Sequence, residues 1–241
     1  MSIWTRGGAI VDLRPYVAKV EQEVGIGSKN IHDASYPFII QEKYRAGYFT
    51  HYAGEGTLRS AKVSYKGEEA DLALCRSKAR FSQKERERIL TLEPVEIEFS
   101  DLSFKIQTVI SFEENTGVIK TERKVYDLSN PDAVITIDEY LVGCYGTTEY
   151  TQDMSELALS VDDEKIDYEY KCREIKKAEA KKVKCKLPPI ETVVSMSCQA
   201  ESYEGYIKEG YAFSPMFTLG YRTKVKNNQE VETWLKLEKL T

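Results

Sequence analysis

From Thr91 onward, apolar and polar residues alternate with a period of two along most of the chain. The run "VEIEFSDLSFKIQTVISFEENTGVIKTERKVYDL" keeps this rhythm through several segments and breaks at "ENTG", residues 114–117, a turn of the kind that joins hairpins. Two long strands joined by that hairpin are the firmest local expectation. Similar stretches follow in "AVITIDEYLVGCYG", "ELALSV", "KIDYEYKCREI", "AKKVKCKLPPIETVVSMSCQA", "GYAFSPMFTLGYRT" and "EVETWLKLEKL". Asp, Asn, Gly or Pro bounds each of them. Earlier, Lys66-Gly67 marks a hairpin turn inside "LRSAKVSYKGEEADLALCRSKARF".

Helical signals are few. "SQKERERIL" offers Ser82 as a cap, with Glu85 three residues later to close a capping box, and predicts a short helix. In the first forty residues, "VDLRPYVAKVEQEVGIGSKN" fits a short helix or a strand equally well, because Pro15 and the valines oppose the helical spacing. "YPFIIQEKYRAGYFTHYAGEG" is dense in aromatics and glycine, as strands meeting at loops would be. Long alternation implies antiparallel sheets with one covered face, and two packed sheets bury it. The expected fold is therefore all-β: a large antiparallel two-sheet β-sandwich with one or two short helices. No repeat, linker or composition shift divides residues 1–241, so one domain is expected, with residues 1–40 of undetermined structure.

Composition narrows the partners. The 241 residues carry a net charge of −5, with a pI near 5.4, which opposes a nucleic-acid surface. The most basic stretch, "KCREIKKAEAKKVKCK", interleaves its lysines with apolar residues as a strand with one solvated face does. There is no run of about 18 apolar residues to cross a membrane, and "MSIWTRGGAI" lacks the apolar core of a secretion signal. A cytoplasmic protein is expected. Cys75, Cys144, Cys172, Cys185 and Cys198 form no CxxC pair, so reduced thiols are expected and neither a metal nor a cofactor is called for.

Candidate chemistry is sparse. Only His32 and His51 could act as acid or base near neutral pH, and His51 lies among Tyr48, Tyr52 and Glu55 with Arg45 nearby. GxSxG and HExxH are absent, and Gly25/Gly27 and Gly54/Gly56 lack the third glycine of a dinucleotide loop. The most suggestive stretch is "EYLVGCYGTTEY", residues 139–150, where a strand runs into Gly143 and Gly146 and then Tyr145, Thr147, Thr148, Glu149 and Tyr150. An aromatic plane, hydroxyls and a carboxylate suit a sugar, whose CH face stacks while its hydroxyls demand directional partners. A structural reading competes with this one: the two tyrosines pack the sandwich edge and the threonines occupy an exposed strand. A second cluster, "SYEGYIKEGYAFSPMF", adds Tyr203, Tyr206, Tyr211 and Phe213.

The strand series, "ENTGVIKTERKVYDLSNPDAVITIDEYLVG" with its Arg123 and Ser129-Asn130, and the late "YAFSPMFTLGYRT" together resemble the galactose mutarotase-like super-sandwich class over residues 40 to 240. That class includes aldose epimerases and the β domains of polysaccharide lyases and glycoside hydrolases. The resemblance implies proton transfer at an anomeric carbon by a histidine acid and a glutamate base. No histidine follows His51 here, so the usual pair does not carry over. Two functions follow. The first is a carbohydrate-binding protein, extending to a sugar epimerase or mutarotase, with Glu149 and His51 as catalytic candidates and Arg45, Tyr145, Tyr150, Tyr203 and Tyr211 as sugar-binding candidates. The second is a non-enzymatic β-sandwich that binds another protein or associates into a homo-oligomer.

Overall fold

The computed structural model describes residues 2–3, 10–12, 59–144, 158–167, 173–187, 192–209 and 216–239. Eighteen strands lie within them. The first seven are β1 (Ser2–Ile3), β2 (Ile10–Asp12), β3 (Arg59–Tyr65), β4 (Glu68–Asp71), β5 (Ala79–Lys84), β6 (Glu87–Leu92) and β7 (Val95–Phe99). Then come β8 (Leu102–Glu113), β9 (Val118–Tyr126), β10 (Ile135–Cys144), β11 (Ala158–Val161), β12 (Glu164–Ile166) and β13 (Glu174–Ala178). The last five are β14 (Val183–Leu187), β15 (Thr192–Gln199), β16 (Tyr203–Glu209), β17 (Met216–Val225) and β18 (Glu230–Lys239).

All the strand pairs are antiparallel. The smaller, eight-stranded sheet runs β1-β2-β3-β10-β17-β16-β13, with β4 also on β3. The larger, ten-stranded sheet runs β12-β11-β14-β15-β18-β9-β8-β6-β5, with β7 also on β8. Alternation dictates which face each residue takes: in β8, Leu102, Phe104, Ile106, Thr108 and Ile110 are buried, and each residue between them is less covered. Facing them across the core are Ile135, Ile137 and Leu141 of β10 and Phe217, Leu219, Tyr221 and Val225 of β17. The two-sheet sandwich expected from the sequence is thus present.

Hairpin turns adopt the left-handed backbone that two-residue connections require. Lys66 and Gly67 have φ of 48° and 89° between β3 and β4, and Asp162 and Asp163 have φ of 48° and 69° between β11 and β12. The "ENTG" turn ends on Gly117 at φ 66° and joins β8 to β9.

The short helix expected over 82–90 is not formed. Residues 79–92 are the β5–β6 hairpin, with Ser82 paired to Ile89 and Glu85 at φ 53° in its two-residue turn. Ser82 and Glu85 do match a capping box, but β8 is twelve residues long and β7 pairs only its first part. β6 supplies partners for Val109–Glu113, and those ladder bonds outweigh a local cap worth about 1 kcal/mol. Among the described residues, helix is limited to the single turn Leu72–Leu74, capped by the Asp71 carboxylate accepting from the Ala73 N–H at 2.8 Å. No helix there is long and apolar enough to cross a membrane.

Candidate functional site

Strands β10, β17, β16 and β13 of the smaller sheet turn one set of side chains into the core and the other set outward, away from the larger sheet. On β10 the outward residues include Asp138 and Tyr140, on β17 Gly220 and Arg222, on β16 Glu204 and Tyr206, and on β13 Glu174 and Lys176. The register aligns them in rows. Asp138, Arg222 and Glu204 form one, and Tyr140, Gly220, Tyr206 and Lys176 the next.

Gly220 has no side chain, and the Tyr206 ring lies across the gap. A Cβ at position 220 would stand 2.4 Å from Tyr206 Cζ and 2.5 Å from its hydroxyl oxygen. Held down in this way, Tyr206 is only 3% exposed although it belongs to an outward face. Its hydroxyl donates to Asp138 Oδ1 at 2.7 Å. Arg222 Nε donates to Asp138 Oδ2 at 3.1 Å, while Nη1 and Nη2 donate to the two Glu174 oxygens at 2.6 and 2.7 Å. Such a two-toothed grip fixes the plane of a guanidinium. The same group stacks 4.2 Å from the Tyr206 ring centre and lies 3.7 Å from Glu204.

The electrostatics follow from this packing. Burial raises the Asp138 carboxyl above its ordinary pKa, and the Tyr206 hydroxyl and Arg222 pull it partly back. Burial, and then the Asp138 charge, push the Tyr206 phenol far up. The hydrogen bonds from Arg222 lower Glu174. The outcome is a plate in which the guanidinium and carboxylates of Arg222, Asp138, Glu174 and Glu204 are part-exposed as hydrogen-bond donors and acceptors, while the phenol ring beneath Arg222 is covered.

Beneath the plate a second charged pair spans the core. Arg123 of β9 and Glu139 of β10 are 1% and 2% exposed, and Nε donates to Oε2 at 2.6 Å. Arg123 Nη1 also donates to the Thr108 hydroxyl at 2.8 Å. Glu139 is the inward neighbour of Asp138, so this contact ties β10, the strand at one side of the plate, to the larger sheet. Burial, with the nearby Glu139 charge, pushes the Cys198 thiol up to about 12.

The sequence-predicted residues are placed unevenly. Tyr203 is on β16 but faces inward, its ring centre 6.1 Å from that of the buried Tyr221. That is the opposite face from Asp138 and Tyr206. Arg45, His51, Tyr145, Glu149, Tyr150 and Tyr211 lie outside the described residues. The strand ends flanking those segments do converge: Arg59 pairs with Leu141, Cys144 with Met216, and Phe217 with Glu209. The start of β3, the end of β10, the end of β16 and the start of β17 therefore share one end of the sheet. The row containing Tyr206 is four residues from the Cys144–Met216 pair, about 13 Å along the strands.

Asp138, Arg222 and Glu174 were not singled out from the sequence, because 84 and 48 residues separate Arg222 from its two main partners. The one available hint was a tyrosine matched with a glycine on outward positions, and it appears only once the register is known. On the larger sheet, carboxyl oxygens of Glu122, Glu230 and Glu232 lie within 4.8 Å of one another. Lys120 sits among them and pairs with Glu122 and with Glu232, the latter at 2.5 Å.

No protein-family model matches the chain, and no curated protein matches it in sequence. Solved structures do match in fold. A galactose mutarotase related enzyme from Lactobacillus acidophilus superposes with TM-score 0.52 at 7% identity, over 75% of this chain and 79% of its own. A galactose mutarotase-like protein from Clostridium acetobutylicum gives TM-score 0.52 at 7% identity, over 82% and 83%. A protein from Synechocystis gives TM-score 0.52 at 8% identity, over 74% and 73%.

Proposed function

We propose that this chain, which has the galactose mutarotase-like fold, binds carbohydrate on the outer face of its smaller sheet. The observation that carries the reading is the plate formed by Tyr206, Asp138, Arg222 and Glu174. A sugar ring carries a rim of hydroxyls, and a preformed set of donor and acceptor groups meets them without reordering side chains. In this reading Arg45, Tyr145, Tyr150 and Tyr211 complete the sugar contacts from segments joined to the nearby strand ends. His51 and Glu149 are the acid and base if the bound sugar is also turned over at its anomeric carbon.

Calorimetry against a broad glycan panel tests the reading. At least one sugar binds, and Arg222→Gln weakens it about tenfold or more, the effect of losing one charged hydrogen bond, while circular dichroism stays unchanged. A blank panel, or an affinity indifferent to Arg222→Gln, refutes it. The internal pairing of Asp138 and Arg222 favours a second reading, in which the face recognises a protein partner and does no chemistry. A monodisperse monomer that changes sugar rotation in polarimetry eliminates that alternative.

A further inference from the structure

The outer face of the larger sheet holds a separate cleft of about 490 Å³, where the β5–β6 and β8–β9 turns stand side by side. Its floor is Trp234 of β18 beside Lys120 of β9, directly opposed across the ladder. Its wall is built in advance. The Glu114 N–H donates to the Arg86 carbonyl at 3.2 Å, Arg86 Nη1 donates to Asn115 Oδ1 at 3.0 Å, and Arg88 holds Glu114 at 2.5 Å. The Lys120 ammonium, 5.8 Å from the Trp234 ring centre, is engaged by Glu122 and Glu232, neither of which lines the cleft.

Charge and shape select the occupant. Around the opening, Lys84 and Arg86 stand against Glu85, Glu87 and Glu113, while the Lys120 charge is taken up by Glu122 and Glu232. An anionic ligand meets no net attractive field there. A neutral molecule with hydroxyls around its rim finds donors and acceptors on each side, and an indole floor favours one with an apolar face. The volume falls within the roughly 300 to 1,000 Å³ of small-molecule sites. We propose that this cleft is a second site, for a neutral saccharide, on the sheet face opposite the first. It stands on its own observations, whether or not the smaller sheet binds sugar.

The chain has two tryptophans, so Trp4→Phe leaves Trp234 as the only indole. The test titrates that variant with cellotetraose, maltotetraose and β-1,4-galactotetraose to about 10 mM, where a millimolar site saturates. Glucuronic acid and glucose 6-phosphate serve as charged controls. The expected result is a saturable change in Trp234 emission with at least one neutral probe, kept when Arg222→Gln is added. Glu87→Gln combined with Asn115→Ala, both on the wall, weakens it about tenfold while circular dichroism is unchanged. Any of four results overturns the proposal: no response to any neutral probe, a response to charged probes alone, a response abolished by Arg222→Gln, or indifference to the wall substitutions.

Discussion

Replacing Glu139 by Gln removes the negative charge 2.6 Å from a guanidinium that is 1% exposed, at nearly constant volume. The guanidinium charge stays in the core and loses its main electrostatic compensation. Breaking one side of a buried pair costs about 3–5 kcal/mol. For a chain of this size that lowers Tm by about 6–20 °C, at about 2–4 °C per kcal/mol. Urea unfolding followed by circular dichroism gives the free energy directly, provided that the slope with denaturant stays constant. The double variant Arg123→Met with Glu139→Leu removes both desolvation costs and is expected within about 1 kcal/mol of the parent, or above it. A double-mutant cycle closed with the single variants Arg123→Met and Glu139→Leu therefore shows strong coupling, on the order of 2 kcal/mol or more. Because the pair is shielded from solvent ions, added salt leaves the cost nearly unchanged. A single substitution costing under about 1 kcal/mol, or a double variant as unstable as the two singles summed, would falsify this account of the core.

Three further outcomes test other parts of the structure. Glu85→Gly relieves a left-handed backbone in the β5–β6 turn and raises stability by up to about 1 kcal/mol in thermal melts, whereas a helix at 82–90 would lose about that much from the same change. Gly220→Ala forces the Tyr206 ring off a Cβ placed 2.4 Å away, which costs about 1–3 kcal/mol in denaturant and disrupts the 2.7 Å bond to Asp138; unchanged stability contradicts the packing. For Asp138, a pKa raised in the folded state means that native protein holds the proton more tightly than unfolded chain does. Its contribution is fully present below the ordinary aspartate range and is lost as pH rises through the raised value, so the stability of the parent relative to Asp138→Asn declines across that window. A flat difference between pH 3 and 7 refutes the burial argument, those limits bracketing roughly the carboxylate range.

The strand pattern was readable because alternation is a local property. β8, β9 and β18 each bury every second residue, and a chain with that spacing can hide its apolar set only on one side of a sheet. The turns at Lys66-Gly67 and at Gly117 were readable for a related reason, since a glycine there meets the demand for positive φ. The stretch 82–90 misled because a cap and a strand edge compete for the same backbone groups. Its outcome depended on β8 needing a partner beyond the reach of β7, a demand made by residues 18 to 26 positions away.

The site shows the same division more sharply. Tyrosines 203 and 206 are close neighbours in the sequence, yet they take opposite faces of one strand, the first against Tyr221 in the core and the second over Gly220 outside. Their odd spacing puts them on opposite faces of any strand, but which of the two faces becomes core depends on the strands that pair with it and pack against it. The amino-acid order by itself determined an antiparallel two-layer β protein and the position of several of its turns, since these depend on side-chain period and on the few residues tolerant of left-handed backbone. Tertiary structure alone decided which strands became neighbours and in what register, and so whether Asp138, Glu174, Tyr206 and Arg222 meet at all. Hydrogen-bond ladders are indifferent to side-chain identity, and register is selected by the summed burial of both sheets, a quantity that no short stretch of sequence contains.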